Sequence, residues 1–149
     1  MKTSVAALAA LLLTGGCGAA EPPARQQPRS ATAEVTMQYL DIARPSIVQT
    51  IDSTAIAAAR FVQVEVAKVE NPRKYALSFN VDFRDAEANS VRLGTFSLFP
   101  PDNPGTFIVP AQGKLRAGGS IAVSLVIVDT PAPDAQVRVG IGKISLTSG

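Results

Sequence analysis

The chain has 149 residues, 14 of them basic and 12 acidic, for a formal net charge of +2 at pH 7. It contains no histidine, no tryptophan and one cysteine, and no Lys/Arg cluster that could follow a nucleic-acid backbone. Without histidine, neither a Ser-His-Asp triad nor a Cys-His pair can form. Composition leaves serine–lysine and paired-carboxylate catalysis open, but no motif supports them. We therefore predict a protein that is not an enzyme and binds neither nucleic acid, metal nor cofactor.

The first seventeen residues have the three-part layout of a bacterial export signal. A short positive start (residues 1–3) precedes the apolar run 4–13, and three small residues lead to Cys17. The apolar run is about half the length that a membrane-spanning helix needs. The segment resembles the signal of bacterial lipoproteins, which implies cleavage between Gly16 and Cys17 and lipid attachment at Cys17. A cleaved secretory signal without lipid is the alternative.

The segment after the cysteine is rich in Ala, Pro, Gln and Arg and predicts an extended tether. Gly18 rather than Asp follows Cys17, which in the sorting rule of enteric lipoproteins implies the outer membrane. We therefore expect a signal peptide at 1–16, an acylated cysteine with a flexible tether at 17–34, and a folded domain at 35–149. The expected location is the bacterial cell envelope, lipid-anchored in the outer membrane and facing the periplasm.

Alternation of apolar and polar residues predicts that the domain is made of strands. The pattern is clearest at 60–68 and 74–84, and Asn71-Pro72-Arg73 between them predicts the turn of an antiparallel hairpin. Further strands are predicted at 47–51, 91–99, 107–109, 121–128 and 137–146. The strand at 121–128 is the most apolar and is expected at a central position, buried on both faces.

Three details of this pattern carry separate expectations. Residues 37–42 stay open between strand and loop, and the alanine-rich stretch 54–60 is assigned to strand or loop rather than to a helical turn. Gly94 is expected at a bulge or close approach, and a change of phase predicts a bulge at Gly142. The predicted fold class is all-β: an antiparallel β-sandwich, Ig-like or jelly-roll-like, with about six to eight strands after the signal peptide and tether.

Three segments suggest a relationship to a known module. They are YALSFNV at 75–81, LGTFSLF at 93–99 and VRVGIGKISL at 137–146. In type and order they resemble the C-terminal β-sandwich, or cap, that follows the di-copper domain of tyrosinases and polyphenol oxidases. The copper domain needs histidines and this chain has none, so the resemblance implies the cap without the enzyme. It further implies a partner protein, either a copper oxidase that lacks its own cap or another envelope protein.

Two clusters are candidate sites in the predicted loops. Phe99, Pro100, Pro101 and Pro104 form a possible partner-binding loop, with an ordinary core or strand-end role for Phe99 as the alternative. Asp82, Asp85, Glu87 and Asn89 could hold Ca²⁺, although polar turns commonly have this composition.

The sequence therefore predicts a non-enzymatic envelope lipoprotein that binds or covers a partner protein. One alternative is a structural or assembly spacer of the outer membrane, which would need no specific surface. Another is a periplasmic metal carrier, for which Met37 is the single thioether left after signal removal.

Overall fold

A computed structural model describes residues 36–148, which form two four-stranded antiparallel sheets around one apolar core. The strands are β1 (Gln38–Asp41), β2 (Ser46–Thr50), β3 (Phe61–Glu70), β4 (Leu77–Arg84), β5 (Ser90–Ser97), β6 (Gly105–Pro110), β7 (Ser120–Ile127) and β8 (Arg138–Thr147). A single helical turn, α1 (Ser53–Ile56), lies between β2 and β3. The predicted antiparallel β-sandwich is confirmed.

The order of the strands distinguishes between the two predicted kinds of sandwich. One sheet has the order β1-β8-β3-β6 and the other β2-β7-β4-β5. In an Ig-like sandwich the first two strands pair within one sheet, whereas here β1 and β2 lie in different sheets. The observed order is that of an eight-stranded jelly roll built from two Greek keys.

Strict alternation explains which side chains form the core. Val62, Val64 and Val66 of β3 are at most 1% exposed, and in β4 Leu77, Phe79, Val81 and Phe83 are at most 2% exposed. Successive side chains of a strand point to opposite faces, so the polar residues between them face solvent. Each sheet therefore has one apolar face, and burying both faces against each other drives the assembly of the sandwich.

A column of three phenylalanines joins the two sheets at the side where β5 and β6 are the edge strands. The rings of Phe79 and Phe96 stack with centroids 4.9 Å apart, and those of Phe96 and Phe107 with centroids 4.3 Å apart. Phe79 and Phe96 belong to one sheet, and Phe107 belongs to the other. Because β5 and β6 belong to different sheets, no strand pairing joins them, and the stacked rings cover the core at this side instead.

The predicted hairpin between the two best strands is wrong. β3 pairs with β6 and β8, while β4 pairs with β5 and β7. The connection 71–76 therefore crosses from one sheet to the other. Alternation shows which face of each strand is buried. It does not show whether the next strand lies in the same sheet or in the other one, because both arrangements place the apolar face in the core.

Two short segments also differ from expectation. Residues 53–56 form the helical turn α1, so their assignment to strand or loop is wrong. The turn begins at Asp52, whose Oδ1 accepts the Thr54 N–H at 2.9 Å, and this hydrogen bond to the backbone lowers the pKa of Asp52. The open stretch 37–42 contains β1, which pairs with the first residues of β8.

The two glycine predictions are confirmed. Val64 pairs with Ile144 and Val66 pairs with Ile141, so β8 has one more residue than β3 in this interval and bulges at Gly142. An added Cβ at Gly142 would lie 2.9 Å from Glu65 Oε2. The β4–β5 register shifts next to Gly94, and an added Cβ there would lie 2.6 Å from Val109 Cγ1 in the other sheet. At Gly94 a larger residue would collide with the buried Val109, whereas at Gly142 the neighbouring atom is the end of the flexible Glu65 side chain, which can move aside.

The prediction for β7 is half right. The strand is interior in its sheet, as expected, but burial on both faces is wrong. Ala122 is fully buried on the outer face, yet Val126 there is 38% exposed and Ser124 is only half-buried. A two-layer sandwich leaves the outer face of each sheet uncovered, so apolar composition alone overestimates the burial of a central strand.

Replacing Gly119 with alanine should destabilise the domain by about 1–3 kcal/mol, the cost of forcing atoms into a filled core. An added Cβ would lie 2.2 Å from Phe83 Cε2 and 2.7 Å from the Arg84 carbonyl oxygen. Gly105→Ala is the matched control, because its Cβ would meet the Phe107 ring at an ordinary 3.5 Å. Urea denaturation measures both, and equal effects of the two variants would contradict the packing argument.

Candidate functional site

Four connections gather at one end of the sandwich, which we call the loop end. Odd-numbered strands run toward this end and even-numbered strands leave it, because neighbours in both sheets are antiparallel. The loop end thus consists of residues 42–45, 71–76, 98–104 and 128–137. Each of these connections joins the two sheets.

The predicted partner loop belongs to the loop end, and its aromatic residue faces solvent. Phe99 is 95% exposed, whereas Leu98 beside it is buried. The core alternative for Phe99 is therefore wrong, and Phe99 lies two residues past the end of β5. Pro100 and Pro104 are exposed and Pro101 is half-buried. The Phe99–Pro100 peptide bond is cis.

The side chain of Asn71 holds the loop that contains Phe99 by a hydrogen bond to Pro101. It is the one polar side chain among residues 36–148 classed as buried, at 4% exposure. Its amide Nδ2 donates to the carbonyl oxygens of Tyr75 at 2.8 Å and Pro101 at 3.1 Å, and its Oδ1 accepts the Tyr75 N–H at 3.0 Å. Asn71 therefore ties connection 71–76 to the loop that carries Phe99.

Side chains around Asn71 extend this attachment to two further loops. Lys74 Nζ lies 3.4 Å from Asp102 Oδ2 in the partner loop, and Arg73 Nη2 lies 2.5 Å from Asp134 Oδ2 in connection 128–137. Exposed ion pairs contribute little to stability, so the hydrogen bonds of Asn71 remain the main attachment of these loops.

The Tyr75 hydroxyl oxygen accepts the Ala132 N–H at 3.2 Å. Two hydrogen bonds hold the pKa of Tyr75 below its usual value. The one from Ala132 has the larger effect, and the one from Arg73 has the next largest. Three of the four connections are thus linked through residues 71–76, which makes the loop end a preorganised surface.

Other apolar side chains are exposed at the same end. Val128 is 66% exposed and Ile42 is 45% exposed. Single exposed apolar residues are ordinary, and Val48, Val91, Ile108 and Val126 are exposed elsewhere in the domain. Phe99 stands apart because it is the largest of the exposed apolar side chains and the most exposed. Alternation could not predict these exposures, because Ile42 and Val128 lie just past the strands where period two no longer applies.

The acidic turn between β4 and β5 does not gather its oxygens. The Asp82 carboxylate pairs with Arg92 across the two strands. Asp85 Oδ1 accepts the Asn89 N–H at 2.7 Å, and its Oδ2 accepts the Asn89 amide at 2.9 Å. In the described part of the chain, no group of three or more His, Cys, Asp or Glu residues is placed to hold a metal ion.

A depression of about 660 Å³ lies at the opposite end and has the volume of a ligand pocket. Its wall includes the alanines 57–59 and three polar residues, Arg60, Gln112 and Ser148, of which Arg60 is the one charged group.

The remaining predicted site residues, Gly16 and Cys17, lie outside the described residues, as does the boundary between signal and tether. Within residues 36–148, no helix is both long and apolar enough to cross a membrane.

Comparison with known proteins adds no relative. No protein-family model matches the chain, and no curated protein matches it.

Proposed function

We propose that this protein is a non-enzymatic lipoprotein of the bacterial envelope, whose jelly-roll domain binds or covers a partner protein through its loop end. One observation carries the proposed partner binding: Phe99 is 95% exposed on a loop that the buried Asn71 side chain holds by a hydrogen bond to the Pro101 carbonyl oxygen. An exposed phenylalanine is unfavourable in water, and burying it in a partner would recover about 2–3 kcal/mol. Holding the loop beforehand reduces the entropy lost on binding.

The cap-like segments suggest one kind of partner. In the tyrosinase family the cap covers the copper site, in some members with an aromatic side chain directed toward the metals. Phe99, at the end of LGTFSLF, is an exposed aromatic side chain available for such a contact. An envelope copper oxidase without its own cap is the partner class that this resemblance supports.

A photoreactive phenylalanine analogue at position 99 should crosslink to a partner in intact cells, and the adduct should appear in the membrane fraction. The control is the same analogue at Ile108, which is 61% exposed on the outer face of the other sheet. Cys17→Ser should move the chain and its adduct out of the membrane fraction, and mass spectrometry of the wild-type N-terminus should show acylation.

Each half of the proposal has its own contrary result. A wild-type N-terminus with an unmodified Cys17 thiol would remove the lipoprotein assignment. Crosslinking that is absent at position 99, or equal at 99 and 108, would remove the partner-binding role and leave a spacer.

A further inference from the structure

A groove with two arginines lies at the other side of the loop end from Phe99. Its volume is about 490 Å³, and its wall includes Gln38, Tyr39, Arg44, Ser46 and Arg138. We call it the arginine groove. It lies between β1 and β2, the edge strands opposite β5 and β6.

Arg138 is held in this groove by an aromatic ring. Its Cζ lies 3.8 Å from the centroid of the Tyr39 ring, a distance at which cation and ring attract each other. Stacking uses the flat face of the guanidinium and leaves the N–H groups on its edge available to accept a planar anion such as a carboxylate.

The acids closest to Arg138 in the sheet are engaged by other cations. Its cross-strand neighbours are Asp41 and Glu70. Asp41 Oδ1 accepts the Arg44 N–H at 2.6 Å and its Oδ2 lies 3.6 Å from Arg44 Nη2, while Glu70 Oε1 lies 2.6 Å from Lys68 Nζ. Among residues 36–148, no ion pair within 4.0 Å includes Arg138. Its charge still reaches Glu70, whose pKa is lowered mainly by Lys68 and in smaller part by Arg138. When Arg44 is counted with Asp41 and Lys68 with Glu70, Arg138 remains as one surplus positive charge.

We infer that the partner places a carboxylate in the arginine groove while its apolar pocket receives Phe99. Arg138 begins β8 at the loop end, and Phe99 follows β5 at the same end on the other side of the sandwich, so one partner surface can reach both. This inference rests on the proposed function and defines the chemistry of the partner: a protein with an exposed Asp or Glu on the same surface as an apolar pocket.

The charges favour a protein carboxylate over the phosphates of an anionic membrane. One surplus charge matches a monoanion, and a bidentate Arg–carboxylate pair has the required planar geometry. The four connections of the loop end carry three acids, Asp102, Asp129 and Asp134, and three basic residues, Arg44, Arg73 and Lys74, so their charges cancel. A surface that binds anionic lipid needs a cluster of basic residues, whereas one arginine beside this neutral surface is enough for a single protein carboxylate.

Crosslinking in cells with the full-length chain tests the inference at two positions. A photoreactive residue at Ile42, next to the groove, should give an adduct of the same mass as one at Phe99, and the captured partner peptide should contain Asp or Glu. Arg138→Gln should lower the yield at position 99 by about tenfold, the loss expected for about 1.4 kcal/mol of binding free energy. Arg138→Lys should lower it less, since it keeps the charge without the planar fork.

Arg84→Gln is the control, because Arg84 is an exposed arginine at the opposite end of β4; it should leave the yield unchanged. Urea midpoints of the purified variants separate lost binding from lost folding. If position 99 crosslinks but Arg138→Gln acts like Arg84→Gln, the inference is wrong and the proposed function stands. If neither position crosslinks, the proposed function itself fails. An adduct of twice the chain's mass would identify a second copy as the occupant and overturn the inference.

Discussion

Phe79→Ala should lower the free energy of unfolding by about 4 kcal/mol, while Phe99→Ala should change it by less than about 0.5 kcal/mol. The Phe79 side chain is fully buried and begins the aromatic column, with its ring stacked 4.9 Å from that of Phe96. Truncation removes apolar area, leaves a cavity and breaks the stack. Phe99 is 95% exposed and loses almost no packing. Urea denaturation of both variants measures the difference.

A domain of this size has a stability of about 5–15 kcal/mol, so Phe79→Ala could leave little folded protein. Phe79→Leu keeps most of the volume and should cost about 1–1.5 kcal/mol, which remains measurable. Phe107→Ala, at the half-buried end of the column, should fall between the effects of Phe79→Ala and Phe99→Ala. A destabilising Phe99→Ala would mean that Phe99 packs in the native state, which would remove the observation behind the proposed function.

Phe79 and Phe99 illustrate two different roles: Phe79 stabilises the fold, and Phe99 is displayed on its surface. A residue retained for stability is expected in the core, where Phe79 is found. Phe99 exposes its apolar ring to solvent and does not pack in the core, so its presence on a fixed loop needs an explanation other than stability. Partner binding provides one, because hot spots of interfaces are enriched in residues whose large apolar surface becomes fully desolvated.

The strands could be predicted because alternation is a local property. Residues 74–84 alternate strictly, and the structure buries Leu77, Phe79, Val81 and Phe83 as expected. The bulge at Gly142 was visible as a change of phase in the same pattern. Each of these predictions depends on near neighbours in the sequence and on the two-residue period of a strand.

Pairing of strands and exposure of loops depend on distant contacts. Asn71-Pro72-Arg73 has the composition of a hairpin turn, yet the Asn71 amide reaches Pro101 in another loop, thirty residues away. Stacking of Arg138 on Tyr39 joins residues almost a hundred positions apart. No local pattern encodes either contact, so sequence reasoning singled out the loop with Phe99 but missed Asn71, which holds this loop, and the arginine groove.

Replacing Asn71 with aspartate should destabilise the domain by about 2–4 kcal/mol at neutral pH, although the two side chains have the same shape. Asn71 Nδ2 donates to two carbonyl oxygens, at 2.8 and 3.1 Å. A carboxylate oxygen at that position donates nothing and is repelled by both carbonyls. The Tyr75 N–H bond, accepted by Oδ1 at 3.0 Å, survives the substitution.

The loss should depend on pH, with a sign that follows from the same contacts. The folded state favours the neutral carboxylic acid, which can donate one hydrogen bond, so folding raises the pKa of the introduced Asp above its usual value of about 3.9. The variant should therefore come closest to wild type below about pH 4 and lose stability as the pH rises through the raised pKa. Urea unfolding of Asn71→Asp and wild type at several pH values measures this difference.

The Asn71→Asp substitution should also weaken partner binding, because Asn71 holds the loop that carries Phe99. Under conditions where Asn71→Asp is still folded, the crosslinking yield at position 99 should fall although Phe99 itself is unchanged. Asp85→Asn is a suitable control, since Asp85 lies in a turn at the opposite end of β4 and its carboxylate accepts hydrogen bonds from Asn89 in the same turn. A yield at position 99 that stays at the wild-type level in folded Asn71→Asp would show that binding does not require the fixed loop, and the preorganisation argument would then be wrong.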